Sequence, residues 1–143
     1  MLTLVNTDKV WAEPARFTAN AFASKSIPVY TCLFSYVPQS MKDRMKYGAA
    51  HGSEIPFVFG NLIERNGVSF DEKDKEVSKM LNAYWVNFAK TGNPNGKDLP
   101  LWSLYDKTKN EIFELNQEGS AETVSDYRKA RLDVIEKAFE SNN

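Results

Sequence analysis

The chain has 143 residues, enough for one domain with its own core; its 42% hydrophobic content is ordinary for a globular protein and its 13% aromatic share is rich. Eighteen basic and 19 acidic residues are interspersed for a net charge of −1, which leaves no basic stripe for nucleic acid or an anionic membrane surface. The single cysteine, Cys32, excludes an intrachain disulfide, "MLTLVNTDKVW" does not read as a signal peptide, and no apolar run nears the ~20 residues of a membrane helix, so the chain reads as soluble with its compartment undetermined.

Residues 8–24 predict a helix, since Trp11, Ala15, Thr18, Ala19 and Phe22 recur at helical spacing. Asp8 suits its N-cap, and Pro14 falls in its first turn or kinks it. "IPVYTCLFSY" (27–36) is β-branched or aromatic, with Ile27, Val29 and Leu33 on one face and Tyr30, Cys32, Phe34 and Tyr36 on the other. Both faces are apolar, the pattern of a strand covered on both sides inside a parallel sheet. Residues 37–70 predict a long loop punctuated by Pro38, Gly48, Gly52, Pro56, Gly60 and Gly67, with Phe57-Val58-Phe59 arguing against disorder.

The clearest helix runs from Asp71 to about Lys90, with Val77, Met80, Leu81, Tyr84, Trp85 and Phe88 at 3–4 spacing. Acidic residues open it, and Gly92 followed by Asn93-Pro94 closes it. Trp85, Phe88 and Trp102 read as packing residues. "LPLWSLY" (99–105) is an apolar return segment, and "EIFEL" (111–115) alternates as a half-exposed strand suited to a sheet edge. A last helix spans 124–140, capped by Thr123 and faced by Tyr127, Ala130, Val134, Ile135, Ala138 and Phe139. This makes three helices and two strands in one stretch, 1–143, with no internal boundary. They are compatible with a small α+β domain wrapped around 27–36, or with the end of a larger α/β sheet.

The only histidine, His51, sits in "GAAHGSEIPFVFG" (48–60), where Ala50, Gly52 and Ser53 leave the ring reachable. A lone histidine is more often structural than catalytic, so the ring by itself decides nothing. His51 with Glu54 is too small a set for zinc, and Glu54 alone reads equally as a solvated surface carboxylate.

"GAAHGSEIPFVFG", "YWVNFAKTGNPN" (84–95) and "LPLWSLY" resemble the C-terminal third of type-B carboxylesterases, the cholinesterase-like branch of the α/β-hydrolases, in the family's order and spacing. "DKVWAEPARF" (8–17) and "PVYTCLFSY" are similar to its helix and late strand before the histidine loop. The resemblance implies an α/β class fold, the C-terminal portion of an α/β-hydrolase that is incomplete as a domain. It also implies hydrolysis of small carboxylic esters by a Ser-Glu-His triad, with His51 as general acid/base. Glu54 matches a family glutamate that is not the triad acid and holds the histidine loop by hydrogen bonds. Tyr47 and Ile55 flank His51 as candidates to line the substrate gorge.

No Gly-x-Ser-x-Gly turn is present: "GVSFD" (67–71) lacks the second glycine, and the serine of "HGSE" shares the histidine's own loop. No glycine-rich oxyanion segment is found either. The expectation is therefore that nucleophile, acid and oxyanion donors lie on upstream esterase polypeptide, that no metal or cofactor is used, and that this chain alone is inactive. The alternatives are a non-catalytic interaction module, since some relatives of these esterases have lost the triad, or a complementing subunit of a split esterase. A dimer through the 124–140 helix is a further expectation.

Overall fold

In the computed structural model, which describes residues 2–141, the chain is helical from Leu2 rather than from Asp8. Helix α1 (Leu2–Thr7) passes through one π-helical turn, Asp8–Ala12, into α2 (Glu13–Ala23). Pro14 lies in the first turn of α2. It has no amide for a carbonyl four residues back, and the widened turn ahead of it, where the Glu13 amide bonds the Asp8 carbonyl, accommodates that loss.

Asp8 is not a cap. It is 2% exposed, within the helical run, and pairs with Arg128 at 2.6 Å and Arg131 at 3.0 Å. Arg16, on the same inner side, pairs with Glu13 (2.8 Å), Asp133 (2.6 Å) and Glu136 (3.1 Å). The helix is thus rolled opposite to the sequence expectation. Trp11, Ala15, Thr18 and Phe22 are exposed, and of the predicted inner face only Ala19 is buried.

The carboxyl-terminal helix α5 is Lys129–Glu140, later than predicted, because Asp126 and Arg128 adopt left-handed backbone (φ 55° and 52°) that halts a helix. Its buried anchor is Leu132, absent from the predicted face, while Val134 is 67% exposed. Thr123, expected to cap it, belongs to strand β3.

Two compact units make up the chain: one from residues up to Thr31, Ser103–Ile112 and Thr123 onward, the other from Cys32–Trp102 and Phe113–Glu122. The first holds the helices just described. The second is built on the sheet and helix α4.

Strand β1 (Cys32–Phe34) pairs in parallel with β2 (Ile112–Leu115), in register Cys32↔Phe113, Leu33↔Glu114 and Phe34↔Leu115. The parallel pairing meets the expectation. The length does not, because only three of residues 27–36 are strand, with Cys32 exposed and Leu33 and Phe34 half-buried. β2 is the central strand rather than an edge, since β3 (Ala121–Val124), which the sequence reading missed, lies on its other side. Phe113 and Leu115 alternate into the core. Among the described residues, β1 is an edge strand with no partner on its outer side.

Helix α4 (Glu72–Thr91) follows its prediction closely. Asp71 and Asp74 exchange side-chain to main-chain hydrogen bonds (2.9 and 2.8 Å) in a capping box, and Gly92, at φ 75°, terminates the helix. Val77, Leu81 and Tyr84 are buried, while Phe88, expected on this face, is exposed. The core joins Val77 and Leu81 to Tyr36, Phe57 and Leu115. Trp102 stacks on Phe113, ring centroids 4.6 Å apart, so this tryptophan is a packing residue as expected. Among the described residues, no helix is long and apolar enough to cross a membrane.

Candidate functional site

The histidine loop is fixed from its downstream end. After Gly52 (φ 82°), the short helix α3 (Ile55–Val58) begins with Pro56 in its first turn, where a missing amide costs nothing. Its amides close back on the loop: Phe57 and Val58 both donate to the Glu54 carbonyl at 3.0 and 2.9 Å, and Ser53 donates to Ala50 at 3.0 Å. Phe57 is 2% exposed and packs among Phe34, Tyr36 and Phe70, so the first helical turn after the histidine is nailed into the core.

Helix α4 completes the clamp. α3 ends with carbonyls that its own backbone cannot satisfy. Ser78 Oγ donates to the Phe57 carbonyl at 2.9 Å and Asn82 Nδ2 to the Val58 carbonyl at 2.8 Å. These two supports went unnoticed in the sequence, although its signal is there: two polar residues four apart, beside the apolar Val77 and Leu81. α4 is itself anchored through Asp74, which accepts a 2.6 Å hydrogen bond from the buried Tyr36 hydroxyl. Burial first, and that bond second, push the Tyr36 hydroxyl well above its ordinary pKa.

"NFAKTGNPNG" is a second brace. Asn87 Nδ2 donates to the carbonyls of Pro94 and Asn95, and Gly96 is needed because a Cβ there would lie 2.5 Å from Asn87 Nδ2. Asn95 then accepts from the Trp102 amide (2.7 Å) and donates to its carbonyl (2.8 Å). Tyr84 donates to the Pro100 carbonyl at 2.6 Å, and burial pushes its hydroxyl up to about 12.

On this scaffold His51 is exposed, on a turn bracketed by the left-handed Gly48 and Gly52. Glu54 is half-buried and lines a cavity of about 20 Å3 with Cys32, Phe34, Trp85 and Phe113, room for about one water. His51, Tyr47 and Ile55 are not on that cavity wall. Tyr47 stands fully in solvent and Ile55 is 52% exposed. Among the described residues, no cluster of three or more His, Cys, Asp or Glu side chains could hold a metal ion. The arrangement offers one reachable imidazole on a stiff platform.

A sequence profile of the carboxylesterase family matches residues 2–135. Cocaine esterase of Homo sapiens is 38% identical over 104 residues, covering 70% of this chain and 18% of that protein. Neuroligin-3 of Mus musculus is 36% identical over 117 residues, covering 79% of this chain and 14% of that protein. The crystal structure of Geobacillus stearothermophilus carboxylesterase EST55 at pH 6.8 matches with a TM-score of 0.68 and 26% identity, over 87% of this chain and 26% of that one. The chain spans less than a fifth of the length of these two curated relatives.

Proposed function

The chain belongs to the carboxylesterase family and folds as part of an α/β-hydrolase, and we propose that it supplies the histidine of a serine-esterase triad. His51 takes the proton from a serine hydroxyl as that oxygen bonds to the ester carbonyl carbon, then gives it to the departing alcohol oxygen as the C–O bond breaks. Water repeats the sequence on the acyl-enzyme. The serine, the acid that orients His51 and the oxyanion amides come from the part of the family fold that this chain does not span. Small carboxylic esters are the substrates, and the reaction calls on no metal or cofactor.

The observation that supports this is the reachable ring on a loop held by Ser78 and Asn82. An acid/base must be accessible to substrate yet fixed within a few tenths of an ångström, and the clamp addresses both needs. Glu54 buttresses the loop from the cavity side, with Tyr47 and Ile55 flanking the ester. The 143-residue chain by itself turns over no ester by the triad route. The test is complementation with the N-terminal part of a related esterase. Hydrolysis of a p-nitrophenyl ester that appears on mixing and vanishes in His51→Ala supports the assignment; activity indifferent to that substitution overturns it.

A second reading, a non-catalytic interaction module, is favoured by the likeness to neuroligin-3, a relative not named as an esterase. Stable association without turnover in the same experiment would select it. A dimer through α5 is a further possibility of the assembly, supported by the 67% exposure of Val134.

A further inference from the structure

An ordinary surface helix buries its apolar side and shows its charges. α2 does the reverse. Its inner positions are Glu13, Arg16, Ala19 and Asn20, and the buried Asp8 extends that side upstream. Its outward positions 14, 15, 17, 18, 21 and 22 are Pro, Ala, Phe, Thr, Ala and Phe, all exposed and none charged. Phe17 is 65% and Phe22 46% exposed, and Val10 one turn before α2 is 55% exposed. The roll is held by ion pairs to Arg128, Arg131, Asp133 and Glu136, two of them at 2.6 Å. Turning the helix over would expose Phe-free polar surface but break every one of these pairs, so the charge-free side faces outward by design of the inner one.

We propose that this outer face, Val10, Pro14, Phe17, Ala21 and Phe22, is the seat of the N-terminal polypeptide of a carboxylesterase fold. The inference rests on the reading above that this chain works with further esterase polypeptide, and adds where the two meet. Size argues for that occupant. An 11-residue helix is only about 16 Å long, and a self-paired patch of that length falls short of the roughly 800 Å2 per partner that a stable dimer buries. A much larger body can cover the helix and extend past it. The solved bacterial carboxylesterase matches this chain over 26% of its own length, which leaves most of its fold as polypeptide of that kind. Helices buried between layers of an α/β fold are also the ones without a charged outer side.

The test mixes the full 143-residue chain with the segment of carboxylesterase EST55 that precedes the matched region, and measures binding by calorimetry. Phe17→Asp and Phe22→Asp are compared with Val134→Asp on α5, with circular dichroism confirming that each variant keeps its helices. The expected result is binding weakened about tenfold or more by each phenylalanine variant and unchanged by Val134→Asp. Three outcomes overturn the proposal: no binding by the wild type, equal binding by all variants, or wild-type self-association that Phe17→Asp abolishes. The readouts are separate from the catalytic assignment. Face-dependent binding with no His51-dependent hydrolysis leaves the docking surface standing and removes the triad reading, and equal binding with hydrolysis does the opposite.

Discussion

Ser78, in the middle of α4, hydrogen-bonds the main-chain carbonyl of Phe57 at 2.9 Å, which ties the catalytic candidate's loop to the best-formed helix of the chain. Asn82, one turn on, does the same for Val58. Each carbonyl is buried or nearly so, and losing its partner leaves a desolvated acceptor. Ser78→Ala and Asn82→Ala are each expected to cost about 1–2 kcal/mol in stability. Their diagnostic effect is local: amides of residues 50–58 should exchange with deuterium faster in the double variant, with the second half of α4 unchanged. Unchanged protection of that loop would show that Phe57 packing alone holds it.

Tyr36 and Asp74 form the next link inward. Tyr36→Phe removes the donor and keeps the ring, so Asp74, 1% exposed, loses a charge-assisted partner while its other oxygen still caps α4. The expected loss is about 1.5–3 kcal/mol by urea denaturation, with little change in circular dichroism. A neutral result would mean that water replaces the phenol.

Much of α4 and of the histidine loop was legible in the sequence, and the reason is local chemistry. Asp71, Gly92 and the glycines around His51 act within a few residues of themselves, so their consequences need no knowledge of the rest of the fold. The N-terminal helix was legible as a helix but not in its roll. Periodicity shows that Trp11, Ala15, Thr18 and Phe22 share a face; that they point inward is an inference from the habit of burying apolar surface, and it fails where the buried partners are Asp8, Glu13 and Arg16. The ion pairs that decide the matter join residues more than a hundred positions apart. β3 escaped for the opposite reason: four residues of weak pattern, Ala-Glu-Thr-Val, carry no signal until they lie beside β2. Gly119 marked the turn before it. With φ 76° and a Cβ that would fall 2.8 Å from Val77, no other residue fits there.

Asp8 tests the inner face directly. Its carboxylate is held by two arginines that are partly exposed, so Asp8→Asn keeps the volume and deletes the charge that both guanidinium groups address. The expected destabilisation is about 3 kcal/mol. A double-mutant cycle with Arg128→Gln should return a coupling of about 1–3 kcal/mol, because the 2.6 Å contact is shared by both residues. A coupling near zero would remove the pair from any role in setting the helix roll.

The same face makes an opposed pair of pH predictions. Asp133 is held below its ordinary 3.8, first by its hydrogen bond from Lys129 and then by that from Arg16. A depressed folded-state pKa stabilises the fold above the unfolded value, and that contribution disappears as pH falls through the folded value. Glu13 is shifted the other way: burial raises it from 4.5, against the pull of Arg16. Its folded form holds a proton more tightly than the unfolded chain does, so its contribution is greatest below 4.5 and is lost as pH rises through the raised value. Urea midpoints measured from pH 3 to 7 should therefore separate the two variants. Relative to wild type, Asp133→Asn is expected to be weaker at pH 7 and to converge with it below about pH 3.5, whereas Glu13→Gln should gain on wild type as the pH rises from about 4 to 7. Parallel curves for the two variants would contradict this assignment of opposite shifts, and with it the account of why one carboxylate of the cluster sits buried beside Arg16 while the other stays half in solvent.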